Sequence, residues 1–454
     1  MMKRWQDLKQ VFFVGIGGIG MSALARHFAS AGWKVAGYDR SASPVTEALE
    51  AEGIPVLLED NLRLIPKEFK DIESTLVVYT PAVPLTSEVL GYFQSNDFYI
   101  HKRSEVLGWL TEDMRSLAVA GTHGKTTTST LLAHILIEAG MHPTAFLGGI
   151  SANYNTNFIR GKGKWMVLEA DEYDRSFLHL HPLMAVITAI EPDHLDIYRD
   201  ESHFRQAFEQ FASQVQPEGH LVTRYDLNLG RETYGLEVKD ADFHGENIRV
   251  ENGQFVFDMH WPDGSFSENI RCGLPGRHNV ENAVAAASLA FRAGISKSDI
   301  AKAIGTFKGV RRRFETIVQK NDLVYIDDYA HHPTELKAII HSVRELYPER
   351  HLTVVFQPHL FSRTKDFMNE FAEVLASADD LILMDIYPAR EEPIPGITSK
   401  ALIKLVNLPN KTVVQKKDLV EQLAQSPREI ILTAGAGDID RMVQPIKKWI
   451  DEQG

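Results

Sequence analysis

The densest phosphate chemistry in this chain lies in Gly121-Thr122-His123-Gly124-Lys125-Thr126-Thr127. Glycines let backbone N–H groups approach an anion, a lysine supplies a cation, and hydroxyls follow at once. Placed where the strand-like SLAVA gives way to a helical pattern, these donors converge on one point. The full G-x-x-x-x-G-K-[ST] pattern wants glycine at 119, where this chain has Val119, so the loop is a shorter variant opening at Gly121. Its chemistry survives: Lys125 can balance β- and γ-phosphate charge, and Thr126 can ligate Mg2+. A nucleoside triphosphate is the expected ligand.

Magnesium favours hard oxygen ligands, usually few of them from protein, which directs attention to carboxylates at neighbouring strand ends. KWMVLEADEYD ends in Glu169, Asp171, Glu172 and Asp174; AVITAIEPDHLDIY ends in Glu191, Asp193, His194 and Asp196. Open parallel sheets place ligands beyond the carboxyl ends of their strands, where both clusters fall. For any single acid among them, a solvated loop residue is the plainer reading.

A second glycine turn comes earlier. Gly15, Gly17 and Gly20 form G-x-G-x-x-G between a strand and a helix, a geometry that brings backbone donors to a diphosphate. Asp39, ending the next strand, could bind a ribose hydroxyl. Alone, this stretch would suggest a dehydrogenase, but a simple dehydrogenase has no need of the phosphate loop at Gly121.

The elements that must hold these residues follow from pattern. VFFVGIGGIGMSALARHFASAGWKVAGYDR is one βαβ unit, with further strand-like runs at Ile54 to Leu58 and Ser74 to Tyr79. The strand entering the phosphate loop opens a new segment with runs at Trp165 to Glu169 and Ala185 to Ile190. Between about His220 and Arg271 the texture changes: ENGQFVFDM and WPDGSF predict hairpins, because Asn-Gly and Asp-Gly supply turns with positive φ. After Arg311-Arg312-Arg313-Phe314, the strands LVYIDDYA, LTVVFQPH, LILMDIYP and IILTAGAG alternate with helical patterns, predicting a mostly parallel α/β domain. The expected organisation is α/β with three domains: a Rossmann-like one over residues 1–112, a central P-loop ATPase-type one over 113–309, and a C-terminal Rossmann-like one over 310–454.

Length and composition agree with several cores: 454 residues exceed what one ordinary domain holds. With 44% hydrophobic and 24% charged residues and no apolar run near the roughly 20 that a span needs, a membrane protein is not expected. MMKRWQDLKQ runs straight into VFFVGIG, without the regions of a secretory leader, and Cys272 as the sole cysteine permits no intrachain disulfide. A reducing cytoplasm is the expected location. The net charge of -13 opposes nucleic-acid binding.

GIGGIGMS, GTHGKTTT, LEADEYDRSFLHL, EPDHLDIY, LPGRHNVENAVAA, RRRFE, DDYAHHPTE and FQPHLFSRT occur in the order seen in Mur ligases, and together span nearly the whole chain. The chain resembles that family, most closely its alanine-adding branch. The resemblance implies that the first domain binds UDP-N-acetylmuramate, the second ATP, and that the third closes with the amino acid. It places Gly15, Gly17, Gly20 and Ser22 at the diphosphate turn, Asp39 near the uridine end, and Thr80 and Ala82 in the same site. Gly121, Thr122, His123, Gly124, Lys125, Thr126 and Thr127 become the ATP loop. Thr126 holds one Mg2+, or Mn2+ in its stead, and Glu169 with His194 a second metal, the imidazole resting on the resemblance rather than on ligand hardness.

By the same resemblance His278, Asn279 and Asn282 lie near adenine, although an Asn at the start of NVENAVAAASLAF is first of all a helix cap. Arg313 is the arginine that meets ATP phosphates on closure, and Asp327 serves the nucleotide ribose or phosphates. Tyr329, His331 and Arg363 belong to the amino-acid site, with Arg363 pairing the alanine carboxylate. Leu360 departs from relatives that carry a second arginine there. Lys125, His194, Arg313 and His331 are the expected catalytic residues.

The implied reaction is ATP-dependent ligation of L-alanine to the lactyl carboxylate of UDP-N-acetylmuramate through an acyl phosphate. Phosphoryl transfer asks for alignment and charge neutralisation rather than a protein nucleophile, in keeping with the absence of a G-x-S-x-G elbow. The competing readings are a related ligase adding a peptide or another amino acid, and a dinucleotide-dependent oxidoreductase. The expected partners are these small molecules, with neither nucleic acid nor membrane involved.

Overall fold

The computed structural model describes residue 5 and residues 8–191, 198, 200–389, 391–425 and 429–453. The chain packs as two compact units, one of Met1–Glu246, Asp258–Ile270 and Glu281–Phe307, the other of Asn247–Phe257, Arg271–Val280 and Lys308–Gly454.

Among the described residues, three sheets carry the strands. The first comprises β1 (Gln10–Val14), β2 (Lys34–Tyr38), β3 (Val56–Leu57), β4 (Thr75–Tyr79) and β5 (Tyr99–Lys102), in the order β3-β2-β1-β4-β5. All its pairings are parallel, and β1 is buried along its whole length. Continuous apolar runs such as QVFFV are what a strand covered on both faces requires. Phe12 packs at 5.7 Å from Phe69 and 5.1 Å from Phe93 on one side of the sheet. On the other, the helix Ile19–Ser30 buries Met21, Leu24 and Phe28.

The second sheet comprises β6 (Arg115–Ala120), β7 (Thr144–Phe146), β8 (Phe158–Ile159), β9 (Trp165–Ala170), β10 (Met184–Ile187), β11 (His220–Arg224), β12 (Glu232–Leu236), β13 (Phe243–Glu251), β14 (Gln254–His260) and β15 (Phe266–Arg271). Their order is β15-β14-β13-β12-β11-β10-β6-β9-β7-β8. Chain order reverses on either side of β6, which pairs in parallel with both β10 and β9. That reversal opens a crevice at the end of β6, where the phosphate loop begins. The predicted hairpin material is present: Asn252 and Gly253, both at positive φ (52° and 75°), join β13 to β14, and Gly264 (φ 77°) lies in the connection to β15. The strands β11 and β12, within the stretch read as hairpin-like, instead extend the parallel sheet.

The third sheet comprises β16 (Glu315–Gln319), β17 (Val324–Asp328), β18 (Leu352–Phe356), β19 (Asp380–Met384), β20 (Asn410–Val414) and β21 (Ile430–Ala434), in the order β16-β17-β21-β18-β19-β20. Only β16, at the edge, runs antiparallel among its described pairings. Among the described residues, no helix is long and apolar enough to cross a membrane.

Candidate active site

The phosphate loop leaves the end of β6 through two backbone positions that favour glycine. Gly121 has φ 129°, and a Cβ there would lie 2.2 Å from Thr188 Oγ1 and 2.8 Å from the Ala189 nitrogen. Gly124, at φ 78°, caps the helix Lys125–Glu138, and its Cβ would lie 2.3 Å from Asn282 Oδ1. The end of β10 laces the loop in place. Thr188 Oγ1 donates to the carbonyls of Ala120 (3.1 Å) and His123 (2.5 Å), and the Thr122 N–H donates to Ala189 O at 3.0 Å. The first helical turn carries no acid, so its exposed N–H groups and dipole favour an anion.

Lys125 and Thr126 open that helix facing two acids of the β9 region. Lys125 Nζ donates to Gly121 O at 2.6 Å and forms an ion pair with Glu172 Oε2 at 2.8 Å. Burial alone would lower the Lys125 pKa; Glu172, Glu169 and Asp171 outweigh it and hold the pKa above its ordinary value, keeping the ammonium charged. Burial raises the Glu172 pKa, with Lys125 pulling the other way. Thr126 Oγ1 donates to Glu169 Oε2 at 2.8 Å, so a hydroxyl and a carboxylate already share one point. Two hard oxygens in that position fit a small divalent cation. Thr127 is buried, and His123 Nε2 lies 3.2 Å from Glu191 Oε2. His194 falls outside the described residues.

The first glycine turn borders the same region. Gly15 (φ 92°) donates its N–H to Tyr38 O at 2.7 Å, and a Cβ there would lie 2.8 Å from Thr80 Cγ2. The Gly17 N–H donates to Asp39 Oδ2 at 2.8 Å, so Asp39 braces the turn itself. A cavity of about 270 Å3 opens beside it, lined by Gly18, Gly20, Thr80, Ala82, Arg103 and, at the phosphate-loop side, Glu169 and Asp171. Ser22 does not line it: fully buried, its hydroxyl donates to Ile19 O (3.0 Å) and accepts from Asn157 Nδ2 (3.0 Å). Arg103, absent from the sequence-based candidates, stands over the turn, its guanidinium 2.8 Å from where a Gly20 Cβ would be. A basic residue opening the helix Arg103–Asp113 directly after β5 was the available signal.

The second unit carries Arg313, Asp327, Tyr329, His331 and Arg363, together with His278 and Asn279 at the start of the helix Arg277–Arg292, whereas Asn282 belongs to the first. Arg312, not Arg313, anchors Asp327, with Nε 3.2 Å from Oδ2, and a second nitrogen of Arg312 donates to Gly435 O at 2.6 Å. Asp327 is pushed up to about 6 by burial, against the pull of Arg312. The Arg313 guanidinium lies 5.0 Å over the Tyr329 ring and 3.9 Å from Glu335.

His331 meets Tyr329 edge-on at 5.3 Å, with His359 beyond it at 5.9 Å. Arg363 is nearly buried, with a guanidinium nitrogen 3.4 Å from His359 Nδ1. The amino-acid candidates Tyr329, His331 and Arg363 therefore share one cluster, to which the structure adds His359 and Tyr387, stacked at 5.8 Å. Burial lowers the His331 pKa, favouring the neutral ring. His278 is lowered to about 4, chiefly by burial and further by Arg313, and its Nδ1 lies 3.3 Å from Ser342 Oγ. Asn279 Nδ2 donates to Pro275 O at 2.7 Å, and Asn282 Oδ1 accepts from Thr128 Oγ1 at 3.2 Å.

Three family models match in series along the chain: the Mur ligase family, catalytic domain, over residues 10–115; the Mur ligase middle domain over 119–290; and the Mur ligase, glutamate ligase domain, over 312–437. A UDP-N-acetylmuramate–L-alanine ligase of Porphyromonas gingivalis is 48% identical, covering 98% of this chain and 99% of its own. The chain belongs to the Mur ligase family. Another relative, the UDP-N-acetylmuramate–L-alanine ligase of Flavobacterium psychrophilum, is 50% identical over the same shares of the two chains. Among solved structures, the UDP-N-acetylmuramate–alanine ligase of Thermotoga maritima superimposes with a TM-score of 0.84 at 28% identity, covering 98% of this Mur ligase and 100% of its own chain. The α/β fold in three family domains and an ATP-dependent ligase activity are thereby established for this Mur ligase.

Proposed function

We propose that this Mur ligase joins L-alanine to the lactyl carboxylate of UDP-N-acetylmuramate at the expense of ATP, as a step in peptidoglycan precursor synthesis. One observation carries the reading beyond its relatives: a single cavity runs from the glycine turn and Arg103 to Glu169, whose carboxylate is hydrogen-bonded to Thr126 of the phosphate loop. A sugar nucleotide held by its diphosphate at the turn would present its carboxylate toward the phosphate loop.

Neither substrate can react unaided, because a carboxylate has a poor leaving group and the amine is mostly protonated at neutral pH. The lactyl carboxylate oxygen attacks the γ-phosphorus, the bond to the β-γ bridging oxygen breaks, and ADP leaves with that electron pair. The alanine amine, having lost its proton, then attacks the acyl carbon. The nitrogen gives up a second proton to water or the departing phosphate, and collapse of the tetrahedral intermediate expels inorganic phosphate and leaves the amide. Lys125 and the backbone N–H groups of Gly121 to Thr127 hold the phosphates in line, and Arg313 adds positive charge where charge develops. Mg2+, when bound, neutralises phosphate oxygens; Thr126 and Glu169 are its proposed ligands, with His194 for a second ion.

Gly15, Gly17, Gly20, Thr80 and Ala82 are assigned to the UDP substrate, Ser22 and Asp39 supporting that turn from within. His278, Asn279, Asn282 and Asp327 are assigned to the nucleoside of ATP, and Tyr329, His331 and Arg363 to alanine. The domain boundaries at 112/113 and 309/310 and a cytoplasmic location belong to the same proposal. Purified protein incubated with UDP-N-acetylmuramate, ATP, Mg2+ and one amine at a time tests it by product mass. L-alanine should give the dominant adduct with equimolar ADP, and a dominant peptide adduct would overturn the choice of amine.

A further inference from the structure

The hairpin strands of the second sheet carry a cluster that the ligation chemistry does not use. His244 and Glu246, two residues apart on β13, face the same side. His260, the last residue of β14, meets them there, its Nε2 2.8 Å from Glu246 Oε1. The two imidazoles stack nearly parallel, with centroids 4.2 Å apart and planes at 13°. One donor atom from each residue falls within 4.8 Å of the others.

From this arrangement we propose that His244, Glu246 and His260 form a binding site for a zinc-class divalent cation. Two imidazoles and one carboxylate, with water in a fourth position, are a donor set typical of Zn2+ and too nitrogen-rich for Mg2+. Bonds of about 2.0–2.1 Å in a tetrahedron hold ligand atoms roughly 3.3 Å apart. The donor atoms lie within 4.8 Å of one another, and because the two rings are stacked, the more exposed His260 must swing out of the stack for both imidazoles to point at one ion.

The surroundings orient the ligands. His244 Nδ1 lies 3.2 Å from Ala241 O, and a hydrogen bond there fixes the tautomer that leaves Nε2 as the ligating atom. His244 is 8% exposed, whereas the side chains of Glu246 and His260 are 31% and 36% exposed, leaving a route for the ion and its water. The Phe266 ring, 4.4 Å from His260, walls another side. A bound ion would tie β13 to β14 and stabilise the folded chain by mass action.

The test uses the full chain, stripped with chelator and exchanged into excess Mg2+, titrated with Zn2+ alone. Zn2+ should bind at micromolar concentration or below. His244→Gln, Glu246→Gln and His260→Gln should each weaken that binding by at least about 10-fold, the scale already seen for lost outer-shell partners. Ligation with Mg2+ should be unchanged. A readout on the unmutated chain runs beside it: Zn2+ should protect His244 and His260 from diethyl pyrocarbonate, located by peptide mass. Unchanged affinity in all three variants, equal modification of both histidines with and without Zn2+, or no binding below millimolar Zn2+ would each overturn the site.

Discussion

Lys125 Nζ and Glu172 Oε2 lie 2.8 Å apart at the mouth of the phosphate loop, the carboxylate side chain only 3% exposed and the lysine 13%. The pair stores the loop's cation beside the carbonyl of Gly121 rather than in solvent. Engaging a triphosphate then exchanges one anionic partner for another, with little new desolvation of the ammonium.

Removing either member of such a pair exposes its cost. Lys125→Met should abolish ATP-dependent phosphate release and also destabilise the fold, since breaking a buried pair from one side typically costs about 3–5 kcal/mol. Lys125→Met/Glu172→Gln should regain much of that stability in urea denaturation while staying inactive. A double variant no more stable than Lys125→Met would show that the pair is not a buried electrostatic unit.

Gly121→Ala should be damaging without any change of charge. The new methyl would need φ near 129° and would press on Thr188 Oγ1 and the Ala189 nitrogen. Residues forced into such backbone regions cost on the order of 1–3 kcal/mol. Thermal denaturation and ATP binding should both suffer, and an unperturbed loop with native ATP affinity would refute the packing argument.

Both glycine turns were legible in the sequence because each is local: strand, glycines and helix follow within about twenty residues, and backbone chemistry sets their shape. What Lys125 and Ser22 touch was not legible. Glu172 is 47 residues from Lys125, and Asn157 is 135 from Ser22, so only tertiary packing reveals that one acid of ADEYD holds the lysine and that the serine hydroxyl faces inward. Short strands escaped too: β7 and β8 have three and two residues, too few to show a period. The edge strands β5, β16 and β20 lack the continuous apolar runs that marked the buried ones. Arg312 and Arg313 are adjacent in one basic run, and only the positive φ of Arg312 (62°) shows why the two point to different partners.

Stability should respond to acid through His278. Its pKa, depressed to about 4 from an ordinary 6.5, means that the folded chain binds fewer protons there than the unfolded chain. Its contribution is fully present above pH 6.5 and is lost as pH falls toward 4. In ligand-free thermal denaturation, His278→Gln should therefore lose less stability than the parent between pH 6.5 and 4. Parallel profiles would contradict a buried neutral imidazole.

The cluster of Tyr329, His331 and Arg363 should act on one substrate alone. Arg363→Lys keeps the charge but loses the planar fork that pairs a carboxylate in bidentate fashion, so KM for L-alanine should rise at least about 10-fold, one such hydrogen bond being worth roughly 1.5–3 kcal/mol. KM values for ATP and UDP-N-acetylmuramate should stay within about twofold, and a rise confined to ATP would reassign the arginine.

The central claim is that the lactyl carboxylate is activated as an acyl phosphate before the amine attacks it. UDP-N-acetylmuramate carrying 18O in both lactyl carboxylate oxygens, turned over with unlabelled ATP and L-alanine, tests this by mass spectrometry of the products. The account predicts one 18O in each phosphate released and one retained in the new amide. Phosphate free of 18O would contradict it.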